Sequence, residues 1–220
     1  MLLSDVVPLE KIEATIREPL SVERINSSDW RLLAARDAES LYGVAGRVWH
    51  LAVTDPGSHL EPLALAPYFK GLNPHLPGAV EKTIGRPLFK EFGFLEATVS
   101  KKGKPFIVAT SLVAHLTDAE LHWYDIGMAN PAKPLPKRTR RSPSQHFEGF
   151  GLLGDVVSAL FDAARERGCG VLSLTAAFSP LVPVFERFGF RVEDNELGRL
   201  SRINGISIPM SVRVSRSGGT

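Results

Sequence analysis

The chain has one cysteine, Cys169, in 220 residues. An internal disulfide is excluded, and a lone thiol suits a reducing compartment. Cys169 also has no spaced thiol partner, and none of the six histidines, His50, His59, His75, His115, His122 and His146, falls at a metal-ligand spacing, so no metal site is expected. Excess charge is missing as well. With 26 basic and 24 acidic residues the net charge is +2, too little for the positive field that non-specific nucleic-acid binding needs. No run approaches the roughly 18 apolar residues of a membrane span. The opening MLLSDVVPLEK carries an acidic residue and a proline where an export signal needs a basic start and an apolar stretch. The expectation is a cytoplasmic protein with no membrane partner. Its 44% hydrophobic and 23% charged residues match a soluble globular composition. The length suits one elaborated domain over 1–220, with a divergent part over 1–90, a core over 92–214 and a frayed tail over 215–220.

Periodicity divides the chain. Residues 9–18 read as a short amphipathic helix and 20–25 as a first strand. Caps at Asn26 to Asp29 followed by apolar residues at helical spacing predict a helix over 29–52, with Gly43 and Gly46 as places for a break. Six prolines and four glycines over 55–87 predict an irregular connection with at most short helical turns, either a binding lid or a packed insertion. Segments 92–100, 106–116 and 120–128, separated by KKGK and TDA, predict an antiparallel meander. NPAKPLPKRTRRSPSQ reads as an exposed loop. From Leu152 the apolar positions Leu152, Leu153, Val156, Val157, Leu160, Phe161 and Ala164 trace a helix face that ends at Gly168. The almost wholly apolar strand 171–176 follows, which implies a right-handed parallel crossover. A second short helix ends at Gly189, and a strand starts over 190–193. Asn204 and Gly205, between 200–203 and 206–214, signal a hairpin.

The pattern EGFGLLGDVVSALFDAARERGCGVLSL followed by FSPLVPVFERFGFRV, within that element order, resembles the two central motifs of the GNAT N-acyltransferase superfamily. The resemblance covers 92–214 and implies a mixed α/β (α+β) fold. Its central sheet would be mostly antiparallel and flanked by helices, with the parallel strand-helix-strand crossover at the cofactor site. It further implies acyl transfer, of acetyl first, from coenzyme A to an amine on a protein or small-molecule acceptor. The family's Q/RxxGxG/A turn is matched by His146, Gly149, Phe150 and Gly151, with histidine in place of Gln or Arg. A second register, from Glu148 and Gly151, also fits. The first is preferred because a carboxylate beside phosphate is repulsive. Glycines at a helix start let main-chain N–H groups and the helix dipole meet a diphosphate. Arg141, in the run with Lys137, Arg138 and Arg140, lies where it could reach phosphate, although a solvated charged loop explains such a run equally.

The resemblance also implies that the strand before the motif splays from the strand after the helix, leaving the main chain of Ile126, Gly127 and Met128 to hold the pantetheine arm as an added strand. An amine with a pKa near 10.4 needs a base. Glu120 occupies the position from which some relatives supply one, with an ordinary strand-end role as the alternative. His122 and Tyr124 share its face by period two and Asp125 takes the other. Two departures stand out, because Phe178 and Phe185 fall where relatives carry Asn and a proton-donating Tyr. Tyr124 or water could replace that acid. A catalytically silent partner-binding relative and an enzyme acting on an RNA-linked amine therefore stay open as alternatives, with nucleic acid disfavoured by the mixed-sign composition. Oligomeric state is not legible, and a homodimer is compatible with everything above.

Overall fold

A computed structural model describes residues 1–116, 119–131 and 151–215. The predicted TDA turn, the basic run with Arg141, three members of the glycine motif (His146, Gly149 and Phe150) and most of the tail lie wholly or partly outside these residues.

Seven strands form one sheet: β1 (Ser21–Ser27), β2 (Phe89–Lys101), β3 (Lys104–Leu116), β4 (Glu120–Met128), β5 (Val171–Phe178), β6 (Arg191–Val192) and β7 (Ile206–Arg213), in the order β1-β2-β3-β4-β5-β7-β6. Every neighbouring pair is antiparallel except β4 and β5. KKGK makes the β2–β3 turn as expected, with Lys102 and Gly103 at φ 54 and 74°, the positive values that a twisted two-residue hairpin turn demands.

Two hydrophobic layers cover the sheet. Helices α1 (Leu9–Ile16), α5 (Leu152–Glu166) and α6 (Val182–Glu186) lie on one face, where Ile12, Val156, Leu160 and Phe185 pack with Leu121, Trp123, Leu172 and Leu174. Helices α2 (Trp30–Ala34), α3 (Ala38–Thr54) and α4 (Leu76–Ile84) cover the other, packing Leu33, Leu41, Val44, Val48, Leu76 and Val80 against Phe92, Phe94, Leu112 and Leu116. The last helix, α7 (Glu196–Asn204), joins β6 to β7.

Three expectations are corrected. The helix predicted over 29–52 is two helices. Its break falls at Asp37, whose side chain caps α3 by accepting from the Ser40 amide, while Gly43 and Gly46 remain helical. The connection 55–87 contains the nine-residue α4, with Pro77 in its first turn, where the missing N–H costs nothing, and Gly85 as a left-handed cap. Asn204-Gly205 ends α7 rather than turning a hairpin. Gly205 adopts φ 73° after a helix begun by the Asn195 side chain accepting from the Gly198 amide. A helix C-terminus and a hairpin turn demand the same left-handed residue, so the dipeptide alone does not separate them.

Candidate functional site

The parallel pair holds the site. β4 and β5 are hydrogen-bonded from Glu120↔Val171 to Trp123↔Leu174 and then part. Beyond that point β4 stays paired with β3 through Met128, and β5 stays paired with β7 through Phe178. The two strands therefore turn unshared edges toward a gap that opens at Tyr124 and Thr175.

Helix α5 runs antiparallel to both strands. Its far end returns to the closed end of the gap, where the Gly170 amide donates to the Ala119 carbonyl at 2.9 Å. Its fifteen residues span about 22 Å, so its N-terminus stands at the open end. That start is Gly151, at φ 71°, and among the described residues no side chain caps the first amides or stands within 4 Å of a Cβ built on Gly151. The positive end of the helix dipole thus lies toward the mouth of the gap.

Of the residues singled out from sequence, Ile126, Gly127 and Met128 lie together on the parted half of β4, opposite Ser111, Thr110 and Ala109 of β3, and Gly151 stands at the α5 start. Glu120 lies at the closed end, 5% exposed. Arg47, on α3, donates to its two oxygens at 2.8 and 3.1 Å, and the Ser173 hydroxyl donates to one of them at 2.5 Å. Arg47 also binds both oxygens of Glu193 at 2.9 and 2.6 Å. Burial alone would lower the pKa of Arg47, but its bonds to Glu193 and Glu120 overcome this and raise it. Burial likewise would raise Glu193, but the Arg47 hydrogen bond brings it below the ordinary carboxylate range. Burial and then Arg47 push His122 down to about 3, so the ring is neutral where it meets the Ser173 hydroxyl at 2.7 Å. Both Glu120 oxygens are thus occupied by three donated hydrogen bonds, two of them from the Arg47 guanidinium.

Tyr124 stands at the mouth. It is the extra residue of a β-bulge, since Trp123 pairs with Val113 and Asp125 with Leu112. The bulge overturns the period-two expectation for Asp125. Instead of the opposite face, Asp125 turns toward α3, where its carboxyl is raised by burial and then by Asp37, with Glu39 adding to it. Burial, followed by Glu39, likewise holds Tyr124 protonated, pushed up to about 12. The tyrosine ring lies over Gly43, where a Cβ would stand 1.8 to 2.2 Å from its atoms. Phe185 is buried against Trp123, with ring centroids 6.0 Å apart, and Phe178 is 41% exposed at the end of β5. Among the described residues no cluster of His, Cys, Asp and Glu could hold a metal ion, and no helix is long and apolar enough to cross a membrane.

A mostly antiparallel sheet with one parallel pair parted midway, and a glycine-started helix at the opening, is the arrangement that the sequence resemblance implies. Acetyltransferases of the GNAT family are among the solved structures the chain matches. The ribosomal-protein-S18-alanine N-acetyltransferase of Escherichia coli is 14% identical over 92% of this chain and 98% of its own, with a TM-score of 0.39. The PaiA N-acetyltransferase of Thermoplasma acidophilum, solved in complex with coenzyme A, is 12% identical over 89% of this chain and 99% of its own, with a TM-score of 0.37. Nourseothricin acetyltransferase is 17% identical over 57% of this chain and 65% of its own length, with a TM-score of 0.35. No family model and no curated protein matches the chain. Likenesses this distant transfer no substrate, and the fold reading rests on strand order and pairing.

Proposed function

We propose that this chain is an N-acyltransferase that moves an acyl group, acetyl first, from coenzyme A to an amine of a protein or small-molecule acceptor. The observation that carries the reading is the parting of β4 from β5 beyond Trp123 and Leu174, with the glycine start of α5 at the opening. The residues fit such a ligand. The edge formed by Ile126, Gly127 and Met128 offers main-chain donors and acceptors to an amide-bearing arm. The first amides of α5 and Gly151 offer donors to a diphosphate, with His146, Gly149, Phe150 and Arg141 as the further contacts expected from sequence. Bound there, the ligand would supply an activated thioester.

The protein's own part is orientation and proton handling. A main-chain N–H near Ile126 would hold the acyl oxygen, a contribution of about 3 to 4 kcal/mol in sites of this type. Asp125, on the α3 side and with a raised pKa, is the better base for the attacking amine, while Glu120 secures the closed end through Arg47. Tyr124 stays protonated and can donate a hydrogen bond to the departing sulfur. The test is thiol release from acetyl-coenzyme A against a panel of amines, with the acetylated amine counted by mass. Stoichiometric release and acetylation support transfer, and binding without release at any amine rejects it. A second reading, a chain that binds the ligand without turnover, is favoured by the buried Phe185, which has no proton to give.

A further inference from the structure

Helix α7 is built inside out. Its inward positions are Gly198 and Ser201, both buried, and Gly198 lies so close to the main chain that a Cβ would come within 2.0 Å of the Glu193 carbonyl oxygen. Its apolar side chains point the other way, with Leu197 42%, Leu200 51% and Ile203 81% exposed. Just beyond the helix, Ile206 is 54% exposed and pairs with Phe178 across β5 and β7. The Ser179 amide donates to the Gly205 carbonyl at 3.0 Å, which ties the end of α7 to the end of β5. A surface helix ordinarily turns such a stripe inward, and a continuous exposed apolar patch of several hundred Å² marks an interaction site.

The charges beside the stripe identify its occupant. Asp194 and Glu196 lie at the start of α7, and Arg199 and Arg202 follow along it, all exposed. Set antiparallel to a second α7, the acidic start of each helix meets the basic half of the other, the two helix dipoles oppose, and the leucines and isoleucines face each other across the axis. Such self-complementarity is what a two-fold interface between identical chains requires.

We propose that the outer face of α7, continued by Phe178 and Ile206, is the surface on which a second copy of this chain docks, with the two α7 helices antiparallel about a two-fold axis. The interface is independent of the acyl-transfer reading, so either can fail alone.

Sedimentation equilibrium on the full chain tests it. The wild type is expected to be a dimer at micromolar concentrations. The double variant Leu200→Glu with Ile203→Glu is expected to be a monomer with an unchanged circular dichroism spectrum, because both side chains already face solvent. Glu196→Arg alone, and Arg199→Glu with Arg202→Glu, are each expected to weaken the homodimer by about tenfold or more. Mixing those two charge variants is expected to restore a dimer containing one of each. A monomeric wild type, a dimer that survives Leu200→Glu with Ile203→Glu, or charge variants that fail to pair when mixed would overturn the proposal.

Discussion

Replacing Arg47 by methionine removes the positive charge that, among the described residues, bridges the carboxylates of Glu120 and Glu193. The three side chains are 9%, 7% and 11% exposed, so water cannot take over the role. Removing one partner of a buried ion pair typically costs about 3 to 5 kcal/mol, because the remaining charge stays desolvated. For a chain of this length about 2 to 4 °C of Tm accompanies each kcal/mol, which puts the loss at roughly 6 to 20 °C. The loss should also depend on pH. In the wild type the folded-state pKa of Glu193 is depressed, so its stabilisation is present above the unfolded value, near 4.3, and disappears as pH falls through the folded one. In the variant Glu193 keeps the Asn195 amide but loses the guanidinium, so burial is no longer opposed by Arg47 and its folded-state pKa rises. Its contribution is then complete only below the unfolded value and is lost as pH increases. The deficit of Arg47→Met is therefore expected to be larger at about pH 8 than at about pH 5 in thermal unfolding followed by circular dichroism. Adding Glu120→Gln and Glu193→Gln should recover much of it and remove the pH dependence, since a buried ion cluster and a neutral set of similar volume are nearly equivalent in energy. A Tm loss below about 2 °C, or one that is equal at both pH values, would refute the reasoning.

Gly43→Ala puts a methyl group 1.8 to 2.2 Å from the Tyr124 ring, so it is expected to destabilise by about 1 to 3 kcal/mol in denaturant titration. Tyr124→Ala in the same chain should relieve the clash, giving a clear coupling in a double-mutant cycle. Asp125→Asn is expected to lower kcat/KM for transfer by about two to three orders of magnitude with little change in Tm. The wild-type rate should rise with pH through the elevated Asp125 pKa, and Asp37→Asn should move that limb to lower pH by removing the like charge that raises it most after burial. Gly151→Asp adds a carboxylate at the α5 start and forces a non-glycine residue to φ 71°, so calorimetry should find coenzyme A binding abolished.

The strands and the parallel crossover were legible because period and turn chemistry agree locally, whereas the parting of β4 from β5 was implied only by the family resemblance. An apolar run after a helix face that ends in glycine requires a parallel crossover, and 120–128 alternates as a strand of a meander. What escaped depends on partners distant in the chain. Arg47 borders the buried stripe of α3, one turn from Val44, and a cation at that edge was the available signal. Its partner Glu193 lies 146 residues away, and no local pattern announces it. The side on which Asp125 emerges was fixed by one extra residue in β4, invisible to a strict period of two. Residues 200–203 of α7 read as a hairpin arm because the helix's apolar residues point outward and its inward face is Gly198 and Ser201, the reverse of the pattern that marks a helix.

The central claim is that the gap between β4 and β5, together with the first amides of α5, binds coenzyme A. It is tested most directly by unfolding the protein with and without acetyl-coenzyme A, in the wild type and in Gly151→Asp. At about 100 times its dissociation constant the ligand should add roughly 2.7 kcal/mol to the wild type, a rise of about 5 to 11 °C, and nothing to the variant. A wild-type Tm that stays unmoved at saturating ligand, or a variant that rises as far as the wild type, would contradict it.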